Sequence, residues 1–128
     1  MTIKVEDTRG LIKLCFRQLG VSEEAAKATT DVLVLTEMMG ITTHGLSRVA
    51  TYCDRITSGR IDPYAVAKVH APTIALRHMD GCGGLCPLIA MRALEAGRDA
   101  ARRAGVGAVF VRGGTHVGAL APYLWYAT

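Results

Sequence analysis

The stretch MDGCGGLCPLIAMRALEAGRDAARRAGVGAVFVRGGTHVG, Met79 to Gly118, decides the fold class. It opens on a glycine-rich turn. Pro87 then suits a first helical turn, where its missing N–H costs nothing. Leu88, Met91 and Leu94, with Glu95 turned outward, carry a helix toward Gly105 as its stop. Val106 to Val111 is β-branched and apolar, and predicts a buried strand. A loop, a helix and a strand in that order complete a β-α-β unit, which favours a parallel or mixed sheet and an α/β class.

Upstream of this unit the pattern is punctuated differently. After an Asp62-Pro63 turn, Val66 to Val69 and Thr73 to Leu76 are short and β-branched, and predict strands. Before the turn the periodicity is helical. Residues Thr8 to Leu19 place Leu11, Leu14, Cys15 and Leu19 on one apolar stripe, with Gly20 as the stop. Ser22 reads as an N-cap, Glu23 and Glu24 sit in the first turn where negative charge suits the helix dipole, and the helix runs to Gly40. So short a link predicts antiparallel packing of the pair. The chain therefore divides into a helical segment, residues 1–62, and a mixed α/β segment, residues 63–128. No internal repeat or low-complexity segment is visible.

A third helix is expected over Thr43 to Ser58, closing at Gly59. At 100° per residue, Leu46, Val49, Ala50, Cys53 and Ile56 form a core side, and His44, Arg48, Tyr52 and Arg55 gather opposite. That second side sets an imidazole and a guanidinium one turn apart, able to reach one small anion.

Composition removes several function classes. With 128 residues, half of them hydrophobic and a fifth charged, the chain is a globular domain and not a disordered tail. Its apolar runs fall far short of the roughly 20 residues that cross a bilayer, so no membrane association is expected. The N-terminal MTIKVEDTRG lacks the regions of a secretory signal, which predicts cytoplasmic residence and reduced thiols. Cys15 and Cys53 then serve as small core hydrophobes. The net charge of +4 raises nucleic acid, but Arg92, Arg98, Arg102 and Arg103 alternate with Glu95 and Asp99, as on a solvated helix face; no nucleic-acid partner is expected.

Four constellations could carry chemistry. In Thr43-His44-Gly45 with Arg48, Gly45 permits close backbone approach beside His44, and the Arg48 fork suits a carboxylate. Gly113 to Gly118 follows a strand, where open α/β sheets place ligands, and its glycines leave room beside His116, a side chain that titrates near neutral pH. His78 to Cys86 mixes metal-ligand types, but Cys82 and Cys86 have no second Cys/His pair at usable spacing, so no metal site is expected. Neither G-x-G-x-x-G nor a Walker motif occurs among the 14 glycines, so no phosphate cradle follows from a fingerprint. His70 and Trp125 read as structural.

The run TEMMGITTHGLSRVATYCDRITSGRIDP, followed by MDGCGGLCPLIAMRALEAGRDAARRAGVGAVFVRGGTHVGALAPY, resembles the malate/L-lactate dehydrogenase family of NAD(P)-dependent 2-oxoacid reductases. The likeness rests on Thr43, His44, Gly45 and Arg48, on Tyr52 to Gly59, and on His116 and Gly118. It implies a non-Rossmann fold, of which this chain is an incomplete, N-terminal portion, and a homodimer with its active site in a cleft between domains. It further implies that Arg48 holds the carboxylate of a small 2-oxo or 2-hydroxy acid. His44 and His116 match the proton donors or acceptors of different members, and Thr43 the small hydroxyl residue beside the first. Cofactor-binding residues for NAD or NADP are expected mostly beyond Thr128.

The sequence departs from the family pattern at Thr43, commonly Ser, at Cys86, where glycine usually ends the turn, and at Gly113-Gly114-Thr115 before His116. The leading expectation is a hydride-transferring oxidoreductase, inactive as this portion alone. The alternative is a non-catalytic, truncated interaction or dimerisation domain.

Overall fold

A computed structural model describes residues 3–128 of the protein. Helix α1 spans Val5–Gln18 and α2 spans Glu23–Met38. The Ser22 hydroxyl caps α2 by accepting the Ala25 N–H at 3.2 Å. Arg9 pairs with Asp31, and Arg17 lies 3.4 Å from Glu23. Those pairs run in opposite sequence directions, so the helices pack antiparallel, as expected.

The buried stripe of α1 differs from the expected one. Ile12 and Phe16 enter the core, while Leu11 is 62% and Leu14 54% exposed, and Cys15 is exposed. The helix carries apolar residues on two stripes. Arg9, Lys13 and Arg17 flank Ile12 and Phe16, and their pairing with Asp31 and Glu23 on α2 fixes the roll of the helix.

The third helix is two pieces. A 3-10 turn, Thr42–His44, is separated by Gly45 to Ser47 from α3, Arg48–Thr57. The break has a packing cause. A Cβ on Gly45 would lie 3.0 Å from both Cα and Cβ of Glu37 on α2 and would collide with its Oε2. That carboxylate accepts the Leu46 N–H at 2.8 Å. The turn is thereby tied to α2, and His44 and Arg48 do not share one helix. The side opposite the expected core side is also partly inward. Tyr52 is 1% exposed.

Asp62 Oδ1 accepts the Tyr64 N–H at 2.9 Å and closes the turn before the sheet. Strands β1 (Lys68–His70), β2 (Leu76–Asp80) and β3 (Ala108–Arg112) form a sheet in that order. The first pair is antiparallel and the second parallel, a mixed sheet. Both upstream strands sit later in the chain than their β-branched runs suggest, because pairing with β3 places Leu76 opposite Ala108 and extends β2 through His78 to Asp80.

Helix α4, Cys86–Ala104, with Pro87 in its first turn, links β2 to β3 and ends at Gly105. It covers one face of the sheet, where Met79 is 2% exposed. The other face lacks a covering layer among the described residues. There Phe110, opposite His78 in register, is 65% exposed, so β3 is not the buried strand its composition predicts. A short helix α5, Ala121–Ala127, carries Trp125 outward at 66% exposure. The core joins Phe16, Val21 and Leu33 to Tyr52, Ile61 and Leu85, and so spans the helical and sheet parts. Three of the four α4 arginines are engaged: Arg92 lies 2.6 Å from Glu24, Arg103 3.1 Å from Asp99, and Arg98 donates to the Tyr126 carbonyl at 3.2 Å.

Candidate functional site

The carboxyl end of β3 leads into Gly113 to Gly118, and this loop folds against the start of α3. Tertiary packing thus brings together the two signatures that sequence separates. The His44 and His116 rings stack with centroids 5.6 Å apart and planes 21° apart. Thr43 Oγ1 lies 2.9 Å from His44 Nδ1. The Thr43 carbonyl accepts the Arg48 Nε–H at 2.8 Å. That bond uses the inner edge of the guanidinium, and its two terminal amino groups have no protein partner among the described residues. A carboxylate could take both at once, in the bidentate geometry an arginine fork favours.

His116 is held from below. The Tyr52 hydroxyl is 2.9 Å from Nδ1 and 3.0 Å from the His116 carbonyl oxygen. The Gly118 N–H points at the same Nδ1 from 3.2 Å. Gly118 has φ +82°, a conformation that costs glycine little and turns its amide back toward the ring. No hydrogen bond among the described residues reaches Nε2. The loop is anchored on both sides, by the Tyr123 hydroxyl donating to the Val117 carbonyl at 2.6 Å and the Thr115 hydroxyl donating to the Gly84 carbonyl at 3.0 Å.

Electrostatics follow the packing. Partial burial, then the positive charges of Arg48, His44 and Arg55, hold the His116 imidazole below its ordinary pKa. Burial pushes the Tyr52 phenol up to about 12. Burial likewise raises the Cys86 thiol. The ring is therefore neutral near pH 7, beside a phenol and a thiol that keep their protons.

All four expected site residues, Thr43, His44, Arg48 and His116, are brought into one cluster. Tyr52 and Glu37 were missed as parts of it. Tyr52 shares its expected helix side with His44 and Arg48, so the grouping was a usable signal; its burial was not, since the covering loop lies 64 residues on. Nothing in the sequence marks Glu37, whose part comes from the close approach of Gly45.

The second glycine cluster is closed on itself. A Cβ at Gly113 would lie 2.5 Å from Asp80 Oδ1, and one at Gly114 2.9 Å from Cys86 Sγ. These glycines accommodate neighbouring side chains, and the turn is not an open cradle for a pyrophosphate. Among the described residues no three His, Cys, Asp or Glu side chains are grouped to hold a metal ion.

Residues 3–128 match the family model described as malate/L-lactate dehydrogenase. The chain is 34% identical over 118 residues to the L-sulfolactate dehydrogenase of Methanocaldococcus jannaschii, covering 92% of this chain and 34% of that protein. It is 35% identical over 103 residues to the malate dehydrogenase of Pyrococcus abyssi, covering 79% of this chain and 28% of that one. Among solved structures, malate dehydrogenase from Pyrococcus horikoshii OT3 superposes with a TM-score of 0.94 at 28% identity, over 99% of this chain and 36% of that chain. The sulfolactate dehydrogenase from Methanocaldococcus jannaschii does so at 0.92 and 33% identity, over 96% and 36%. The chain spans about a third of the length of the curated relatives it matches.

Proposed function

From the premise that this chain belongs to the malate/L-lactate dehydrogenase family, we propose that it supplies the substrate-binding and proton-transfer groups of an oxidoreductase acting on small 2-oxo and 2-hydroxy acids. The observation that carries this reading is the convergence of an arginine fork and two stacked imidazoles.

In this reading the terminal amino groups of Arg48 hold the substrate carboxylate, and Thr43 and His44 shape the pocket beside it. His116 Nε2 gives a proton to the carbonyl oxygen on reduction and takes it back from the hydroxyl on oxidation. Fixing the carboxylate also orients the reacting carbon, a positioning effect that accounts for much of the barrier lowering in such reactions. NAD or NADP would supply or accept the hydride when bound. The closed glycine turn does not fit that group, and we assign none of the described residues to its binding. Residues 1–62 then act as the helical segment that carries the Thr43 to Arg48 signature, and residues 63–128 as the start of the domain facing the nicotinamide. The same reading includes a homodimer in the cytoplasm. Exposed Leu11, Leu14 and Phe110 support a further covering surface, and the four free cysteines suit a reducing compartment.

A second reading is a non-catalytic interaction or dimerisation domain, favoured by the exposed apolar side chains Leu11, Leu14 and Phe110. Oxidation of NADH or NADPH with pyruvate, oxaloacetate or a cyclic imino acid separates the two. The 128-residue chain alone is expected to be inactive, and a product extended to the length of the relatives active. In that product His116→Ala or His44→Ala lowers turnover, and Arg48→Lys mainly raises KM. Unchanged kinetics after all three substitutions would overturn the enzymatic reading.

A further inference from the structure

Tyr52 belongs to no expected role, yet it is the most buried side chain of α3 and makes the closest hydrogen bonds to His116. We propose that Tyr52 is a positioning residue that lets Nδ1 of His116 switch between accepting and donating a hydrogen bond without movement of any heavy atom. The significance for proton transfer at Nε2 rests on the function proposed above. The hydrogen-bond switch itself does not.

The argument starts from donors that cannot change sign. The Gly118 backbone N–H, 3.2 Å from Nδ1, can only donate. It favours a lone pair on Nδ1, so in the neutral ring the proton resides on Nε2. A proton on Nδ1 needs an acceptor, and the Tyr52 oxygen at 2.9 Å is the one within reach. Its own hydrogen then turns to the His116 carbonyl, 3.0 Å away. When Nδ1 is bare, that hydrogen can turn to Nδ1 instead. A hydroxyl is suited to this place because it donates and accepts by rotation alone.

Loss of a proton from Nε2 of the imidazolium leaves Nδ1 protonated, the state that Gly118 opposes and Tyr52 accommodates. Without the phenol, that state has no acceptor. The groups around the ring and its tyrosine come from four elements: His44 from the 3-10 turn, Arg48, Tyr52 and Arg55 from α3, Cys86 from α4 beside Tyr52, and Tyr123 from α5 through the Val117 carbonyl. Cys86 and Tyr123 keep their protons where His116 titrates, both being pushed up by burial. His44, Arg48 and Arg55 are present equally in a Tyr52 variant.

The test is a nitrogen-15 NMR titration of the histidine rings in the 128-residue chain, which needs neither cofactor nor activity. His116 is identified by the signal lost in His116→Gln. In the unsubstituted chain the neutral His116 ring is expected to carry its proton on Nε2. In Tyr52→Phe the His116 pKa is expected to fall by about half a pH unit or more, since a bond to a charged group is stronger than one to a neutral ring. Tyr123→Phe, which removes a hydroxyl bonded to the same loop and not to His116, leaves the titration in place. A neutral ring protonated on Nδ1 overturns the proposal and needs no variant to observe. So does an unchanged pKa in a folded Tyr52→Phe chain, or an equal fall in Tyr123→Phe. An inactive dehydrogenase with the expected titration would sink the functional reading and leave the switch standing.

Discussion

His44 and His116 stack at 5.6 Å with their planes only 21° apart, so two residues far apart in the sequence form one face of the site. Two imidazoles this close disfavour a shared positive charge, and Arg48 and Arg55 add to that effect on His116.

The first expected consequence is electrostatic. Burial comes first among the causes that lower His116, and Arg48 second. Arg48→Met therefore raises the His116 pKa part of the way toward its ordinary value, as an NMR titration would register. A fall, or no change, would show that the guanidinium does not act on the ring.

The same depression links to stability. The folded ring binds a proton less readily than the unfolded one, whose value is about 6.5. The unfolded state therefore takes up more protons as pH drops, and this contribution, present above that pH, is lost as pH falls through the folded value. Replacing His116 by Asn should flatten the loss of stability between neutral and mildly acidic pH, measured by urea unfolding at a series of pH values. An identical slope would count against a depressed ring.

Gly45 tests the packing of the 3-10 turn on α2. Gly45→Ala places a Cβ 3.0 Å from Glu37 Cα and Cβ and in collision with its carboxylate. A destabilisation of about 1–3 kcal/mol is expected from such overpacking, read from a urea midpoint at unchanged m-value. A neutral result would mean that the turn can move off α2.

The cap of α2 gives a smaller effect of known origin. Ser22→Ala removes the acceptor of the Ala25 N–H, and a loss of about 1 kcal/mol is expected. Ser22→Gly should cost less, because glycine is itself tolerated at that position.

Phe110 probes the open sheet face. At 65% exposure it contributes little to the fold of this chain, so Phe110→Lys should change stability by about 0.5 kcal/mol or less. It should lower self-association in sedimentation or size-exclusion measurements, since an exposed aromatic on a sheet face favours contact with another surface. A large loss of stability would show that the ring is packed in solution.

The local elements were legible in sequence wherever a single residue type enforces them. Ser22 caps α2, Pro87 sits in the first turn of α4, and Gly105 stops it, each for a reason confined to one or two turns of backbone. The signature residues Thr43, His44, Arg48 and His116 were also legible as candidates, because their chemistry is a property of the side chain. Burial was less so. Periodicity identified an apolar stripe on α1 and chose Leu11, Leu14 and Cys15 over Ile12 and Phe16, since it cannot register the ion pairs that set the roll of the helix.

What the sequence by itself determined is the order of helices and strands from α1 to β3, apart from the break in the third helix, the α/β class and the inventory of reactive groups. Only tertiary structure decided that the 3-10 turn breaks from α3 against Glu37. It also decided that Tyr52 turns inward to hold His116, and that the far ring stacks on His44. The physical reason is range: caps and turns are satisfied by neighbours within a few residues, whereas a ring's tautomer, burial and stacking partner depend on groups brought near it by packing.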